Sequence, residues 1–222
     1  QDPEPARHGR PCSGGEDTMT TRSPTGPGMH RREELLEVAT LLFGRRGFHG
    51  TSMSEIAGAM GLQKASLYHW VESKEDLLYQ VLCGVLDSLI SQARVIAQDE
   101  GLDFETRLRQ LVTLHARYTV DRPDVMQVFL SESKWLAGAR GREMRDVRRG
   151  YHRLYEDVFY KARDLGEICV PKETIPVYIN LLFSMTNQLP VWYKQGGFYN
   201  PAEIANLVCD LVLRNVQPYS ER

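Results

Sequence analysis

Apolar residues recur at three- and four-residue spacing through the first third of the chain, and glycines and polar cap residues cut the runs. Leu35, Val38, Ala39, Leu42 and Phe43 fall on one face of a helix over about 30–46. Arg45 and Arg46 precede Gly47, the usual ending of such a helix. Met53, Ile56, Ala57 and Met60 predict a short helix over 52–60, and Gly61 supplies a backbone that can turn left-handed cheaply. Ala65, Leu67, Tyr68 and Trp70 predict a second short helix over 64–71. Ser73, with Glu75 and Asp76 behind it, starts the next helix, which Leu77, Leu78, Val81, Leu82, Leu86 and Leu89 carry to about residue 98. Two short helices joined by a glycine-containing turn form a helix-turn-helix, whose second helix enters the major groove of DNA.

Helical spacing persists to the end of the chain. Leu108, Leu111, Val112, His115 and Tyr118 form the stripe of a helix over 104–120, and Arg122-Pro123 marks a turn. Further helices are expected at about 124–136, 142–165, 173–194 and 201–216. No segment alternates with period two. The expected fold is all-α: a three-helix DNA-binding head over 29–75, then a helical ligand-binding and dimerisation body over 76–222. Residues 1–28, rich in Pro, Gly, Ser, Thr and Arg, read as a disordered tail in which Arg22 could touch DNA. The 173–194 helix is apolar nearly all round, which predicts burial on every side. With the surplus apolar face of 201–216 it suggests a four-helix interface in a two-fold homodimer.

Charge narrows this picture. The net charge of −2 carries no general attraction for nucleic acid, so a DNA-binding face must be a local patch. No apolar run reaches the roughly 18 residues of a membrane span, and the N-terminus has no apolar signal-peptide core. Cys12, Cys83, Cys169 and Cys209 are scattered without metal spacing, which argues against zinc and disulfides and suits a reducing cytoplasm. No catalytic set, cofactor motif or phosphate-cradling loop appears, and the expectation is a non-enzyme without cofactor or metal. A helical thioester-processing enzyme is the rival from another class. Glu132 near Lys134 could serve as its base, but an exposed pair on a helix surface is the simpler reading.

The runs FGRRGF, T-S-M-S-E-I-A, S-L-Y-H-W and S-K-E-D-L-L, within residues 31–82, resemble the TetR family of bacterial repressors. Trp70 stands where that family usually has Phe, and Val71-Glu72 replaces a common Pro-containing pair. The resemblance implies that the second short helix lies in the major groove of a palindromic operator bound by a homodimer. Gln63, Lys64, Ala65 and Ser66 then sit at its base-reading end, where Lys suits guanine and Gln suits adenine. Tyr68 and His69 offer polar tips to phosphates. Thr51 and Ser52 open the preceding helix, where hydroxyls and N–H groups can hold a phosphate, and Lys74 can meet another.

Farther along, S-E-S-K-W-L at 131–136 and the Trp192…Gly196-Gly197 segment resemble a branch of that family that controls sterol-ring and fatty-acid catabolism in answer to acyl-CoA thioesters. The helix near 140–163 carries eight basic and four acidic residues beside an apolar stripe. Arg145, Arg148 and Arg149 could receive an anionic head group, while Phe129, Trp135, Tyr151, Phe183 and Trp192 wall an apolar pocket. The alternatives are a solvated charged face, and a repressor of an efflux gene that senses a neutral lipophile.

Overall fold

The computed structural model describes residues 27–216, and among these every regular element is a helix. The first, α1 (Pro27–Arg46), opens earlier than the apolar stripe implies, because proline suits a first helical turn. The rest of the expected tail, Arg22 included, lies outside the described residues. The chain continues through α2 (Met53–Ala59), α3 (Lys64–Leu67), α4 (Lys74–Gln98), α5 (Phe104–Asp121) and α6 (Pro123–Glu132). Then come α7 (Gly138–Asp164), α8 (Ile175–Asn187), α9 (Leu189–Trp192) and α10 (Pro201–Val216). Two compact units result: the chain up to Asp87 together with Val128–Gly150, and Ser88–Gln127 together with the chain from Tyr151 onward.

In the first unit Leu35, Ala39 and Phe43 of α1 are buried, as are Ile56 and Ala57 of α2 and Leu67 of α3. Gly47 ends α1 at φ +74 and donates its N–H to Phe43 O (2.9 Å). Ser52 caps α2: its hydroxyl accepts the Glu55 N–H, and the Glu55 carboxylate accepts the Ser52 N–H, a reciprocal capping box. These Ser52 hydrogen bonds, with Arg46 2.9 Å away, hold the Glu55 carboxyl below its ordinary range. Gly61 makes the turn at φ +67. Next to it the Leu62 N–H closes back on Ala57 O (2.8 Å). Glu132 is not the exposed partner of Lys134 that its position suggests. It is half-buried and accepts the Phe48 N–H at 2.8 Å, while the Lys134 ammonium lies 5.2 Å from the Trp135 ring. The expected 124–136 helix therefore ends at Glu132, followed by a 3-10 turn at Ser133–Trp135.

In the second unit α10 packs chiefly along α5, and α8 touches both. Leu108, Leu111, Ile179, Leu182, Ala205 and Cys209 meet there, all essentially out of solvent. The buried Arg107 donates to Asp99 O and Leu102 O, tying down the connection between α4 and α5. The single helix expected over 173–194 is divided into a 3-10 turn at Lys172–Thr174, then α8, then α9. Pro190 is the cause: it has no N–H to give to Thr186 O, and that carbonyl takes the Thr119 hydroxyl (3.4 Å). Nor is this stretch buried on every side, since Val177 and Leu181 of α8 are about half exposed, as are Leu207 and Leu211 of α10. By length and composition α4 could cross a membrane, yet its Leu77, Leu78, Leu82 and Leu89 are fully buried within this fold.

Gly58 and Gly61 separate backbone conformation from space, because a methyl group meets nothing within 4 Å at either position. Gly61→Ala should lower stability by about 1 kcal/mol through its positive φ alone, while helical Gly58→Ala should raise it by a few tenths to about 1 kcal/mol. Urea unfolding measures both, and a shared sign would contradict the turn described here.

Candidate DNA interface and effector core

The three positions at the start of α3, Gln63, Lys64 and Ala65, are exposed, and Ser66 is half-buried. Leu67, next in line, is fully buried and anchors the helix. Tyr68, 47% exposed, and His69 follow on the outer side. Trp70 is half-buried and Val71 buried, which closes the inner side. Ser52 is exposed at the start of α2. Two residues of the expected contact set are used differently. Thr51 is 1% exposed, and its hydroxyl is shared between Leu42 O (3.2 Å) and Gly47 O (3.0 Å). The Lys74 ammonium donates to Phe48 O (2.8 Å) and Thr51 O (3.0 Å) and lies 4.3 Å from the Phe48 ring centroid. Both hold the turn that presents α2.

The expected effector residues fall into separate groups. Tyr151 and Phe183 meet in the core of the second unit, ring centroids 5.4 Å apart. Phe129 packs under the Arg148 guanidinium at 5.3 Å, and Trp135 lies edge-on to His49 at 4.2 Å. Arg145, Arg148 and Arg149 are exposed, Arg149 reaching Asp146 at 3.6 Å. Trp192 is 55% exposed, on a surface cleft of about 570 Å³ that Tyr193, Phe198, Tyr199 and Leu207 also line.

Around Tyr151 runs a polar chain that the sequence did not announce. Tyr155 Oη donates to Leu111 O (3.1 Å) and lies 3.2 Å from Tyr151 Oη. Tyr151 Oη lies 3.2 Å from His115 Nδ1. The other ring nitrogen, Nε2, lies 3.0 Å from Asn187 Oδ1. Complete burial, with His152 adding to it against the Asn187 bond, pushes the His115 pKa down to about 4, so the ring is neutral at pH 7. The atom facing Nε2 is an amide oxygen, an acceptor, so the neutral ring carries its one proton on Nε2 and leaves Nδ1 to accept the Tyr151 hydroxyl. Burial likewise raises both tyrosine hydroxyls above their ordinary range.

Known proteins share this fold. Residues 35–81 match the family described as bacterial regulatory proteins, tetR family, and residues 101–216 match the tetracyclin repressor-like C-terminal domain. The chain belongs to the TetR family. It is a DNA-binding regulator of transcription, in a family of regulators and not of enzymes. This TetR-family chain is 30% identical over 186 residues to the HTH-type transcriptional repressor KstR2 of Rhodococcus jostii, covering 82% of this chain and 89% of that one. The structure of the ketosteroid transcriptional regulator KstR2 of Mycobacterium tuberculosis superposes with a TM-score of 0.74 at 25% identity, over 85% of this chain and 95% of that one. AibR, solved in complex with isovaleryl coenzyme A and operator DNA, gives a TM-score of 0.71 at 27% identity, over 82% and 97% of the two chains.

His115 lies on the apolar stripe of its helix, and a histidine in such a stripe was the available signal for a buried polar chain. Its lowered pKa has a definite thermodynamic sign. Between about pH 6.5 and 4 the unfolded chain binds this proton and the folded chain does not, so stability falls as pH drops through that window, by up to roughly 3 kcal/mol. His115→Gln should flatten that part of the stability profile. Parallel wild-type and variant profiles in urea titrations between pH 7.5 and 4 would refute the assignment.

Proposed function

We propose that the chain acts in the cytoplasm as a homodimeric repressor that reads a palindromic operator with α3 and leaves it when an acyl-CoA thioester binds the helical body. The observation that carries the DNA reading is the outer side of α3. Gln63, Lys64, Tyr68 and His69 are exposed there, and among the described residues none has a side-chain hydrogen-bond partner. Their tips are free for base edges and phosphates, with Ala65 and Ser66 small enough for close approach and Ser52 facing a phosphate at the start of α2. Thr51 and Lys74 contribute from inside by fixing the turn. The dimer reading is supported by the four-residue spacing of the exposed Val177 and Leu181 on α8, and of Leu207 and Leu211 on α10. Two copies pairing these stripes would offer two recognition helices to half-sites about 34–36 Å apart.

The effector reading is supported by the isovaleryl coenzyme A in AibR and by the division of charge along α7. Arg145, Arg148 and Arg149 are exposed and suited to phosphates. Tyr151 and Phe183 belong to a core of neutral hydrogen-bonding and aromatic groups suited to the acyl portion. By linkage the effector binds the DNA-free dimer more tightly, and operator weakens effector binding by the same factor.

Lys64→Ala and Tyr68→Ala should each lower operator affinity by about tenfold, that is 1–3 kcal/mol, without changing the oligomeric state in sedimentation. Wild-type affinity in both variants at one fixed salt concentration would remove α3 as the reading helix. Replacing Arg148 and Arg149 together with Gln should raise the acyl-CoA concentration needed for release by about tenfold. Unchanged release leaves these arginines as surface charge. An uncharged native effector, identified by mass from the purified protein, would replace the thioester with a neutral lipophile held by the aromatics.

A further inference from the structure

A segment remote in sequence from the helix-turn-helix clamps it from behind, inside the same compact unit. The backbone N–H of Phe48, a residue only 3% exposed, follows the left-handed Gly47, and its acceptor is the Glu132 carboxylate at 2.8 Å. Without Glu132 that N–H would be buried with nothing to accept it. Three residues on, the Trp135 ring meets His49 in the same turn. Arg140, near the start of α7, places Nη2 2.8 Å from Asp76 Oδ1 and 3.0 Å from Glu72 Oε2, with its guanidinium 5.9 Å from the Tyr79 ring centroid. Asp76 is buried, and its other oxygen accepts the Glu72 N–H (2.8 Å) and the Gln80 amide (3.1 Å). Glu132 thus grips the chain entering α2, and Arg140 grips the chain between α3 and α4. Helix-turn-helix placement is set at both ends by residues of the 132–140 segment.

We propose that Glu132 and Arg140 are positioning residues that hold the helix-turn-helix in its operator-reading arrangement. The proposal rests on the reading that the chain binds operator DNA, and its test needs no effector.

The probe is a duplex selected by the wild-type protein from a random pool. Glu132→Ala and Arg140→Gln should each weaken binding to it by about tenfold, with the slope of log affinity against log salt unchanged, because no phosphate contact is lost. Glu132→Gln, which keeps an acceptor for the Phe48 N–H, should stay within about threefold of wild type. The helix content of each variant is checked by circular dichroism. Wild-type affinity in the single variants overturns the latch. A salt slope reduced by about one in Arg140→Gln makes Arg140 a phosphate contact and overturns its positioning role. A wild-type protein that retains no duplex from the pool defeats the DNA-binding reading itself, a separate result.

Discussion

A helix of four residues has barely one turn of hydrogen bonds and does not persist in water by itself. The shape of α3 is therefore imposed by its surroundings. Leu67 pins it from below, fully buried. Beneath it, α2 is fixed by its capping box and by the turn before it, where Lys74 bridges two carbonyls and Thr51 two more. The exposed polar tips of Gln63, Lys64, Tyr68 and His69 inherit their positions from these neutral and cationic ties. Polar groups that build the reading head face inward, and those available to a partner face outward. In the proposed mode of DNA reading, this division lets a nearly neutral protein present a specific surface to a polyanion.

The second unit separates its polar groups in a different manner. Its interior polarity is a chain of neutral hydrogen-bonding groups from Asn187 to Leu111 O, with the imidazole held uncharged by burial. The chain favours one arrangement of α5, α7 and α8 over other packings of the same apolar surface. Rearranging it requires several hydrogen bonds to change together, the kind of bistable response that a ligand can bias.

Local features were readable from sequence because their causes are local. Gly47 and Gly61 stand where a left-handed backbone is required, and Ser52 with Glu55 is a capping pattern whose partners lie within one turn. Leu67 and Ile56 followed from spacing. What escaped were partnerships across distance. Glu132 looked like half of a surface pair with Lys134, since its real partner is a backbone N–H far back in the chain. Asp76 read as a dipole-facing acid at the start of a helix, and its tie to Arg140 was invisible. His115 counted toward an apolar stripe, although burial and hydrogen bonding are what place it there. Pro190 should have ended the long apolar helix, but the continuous run of apolar residues around it outweighed the missing N–H. Trp192 was read as a wall of an apolar pocket beside Tyr151 and Phe183, whereas the end of the short α9 leaves it half in solvent on a surface cleft.

The interleaving of the first unit bears on how the chain matures at the ribosome. Its reading head is encoded near the N-terminus, and such segments usually fold first as they emerge. Here Phe48, Glu72 and Asp76 wait for Glu132 and Arg140, which are synthesised much later. A nascent chain that has exposed only its helix-turn-helix lacks the clamp on both ends. The head can therefore be finished only after much of the body has been made, so partial chains are poor competitors for operator sites.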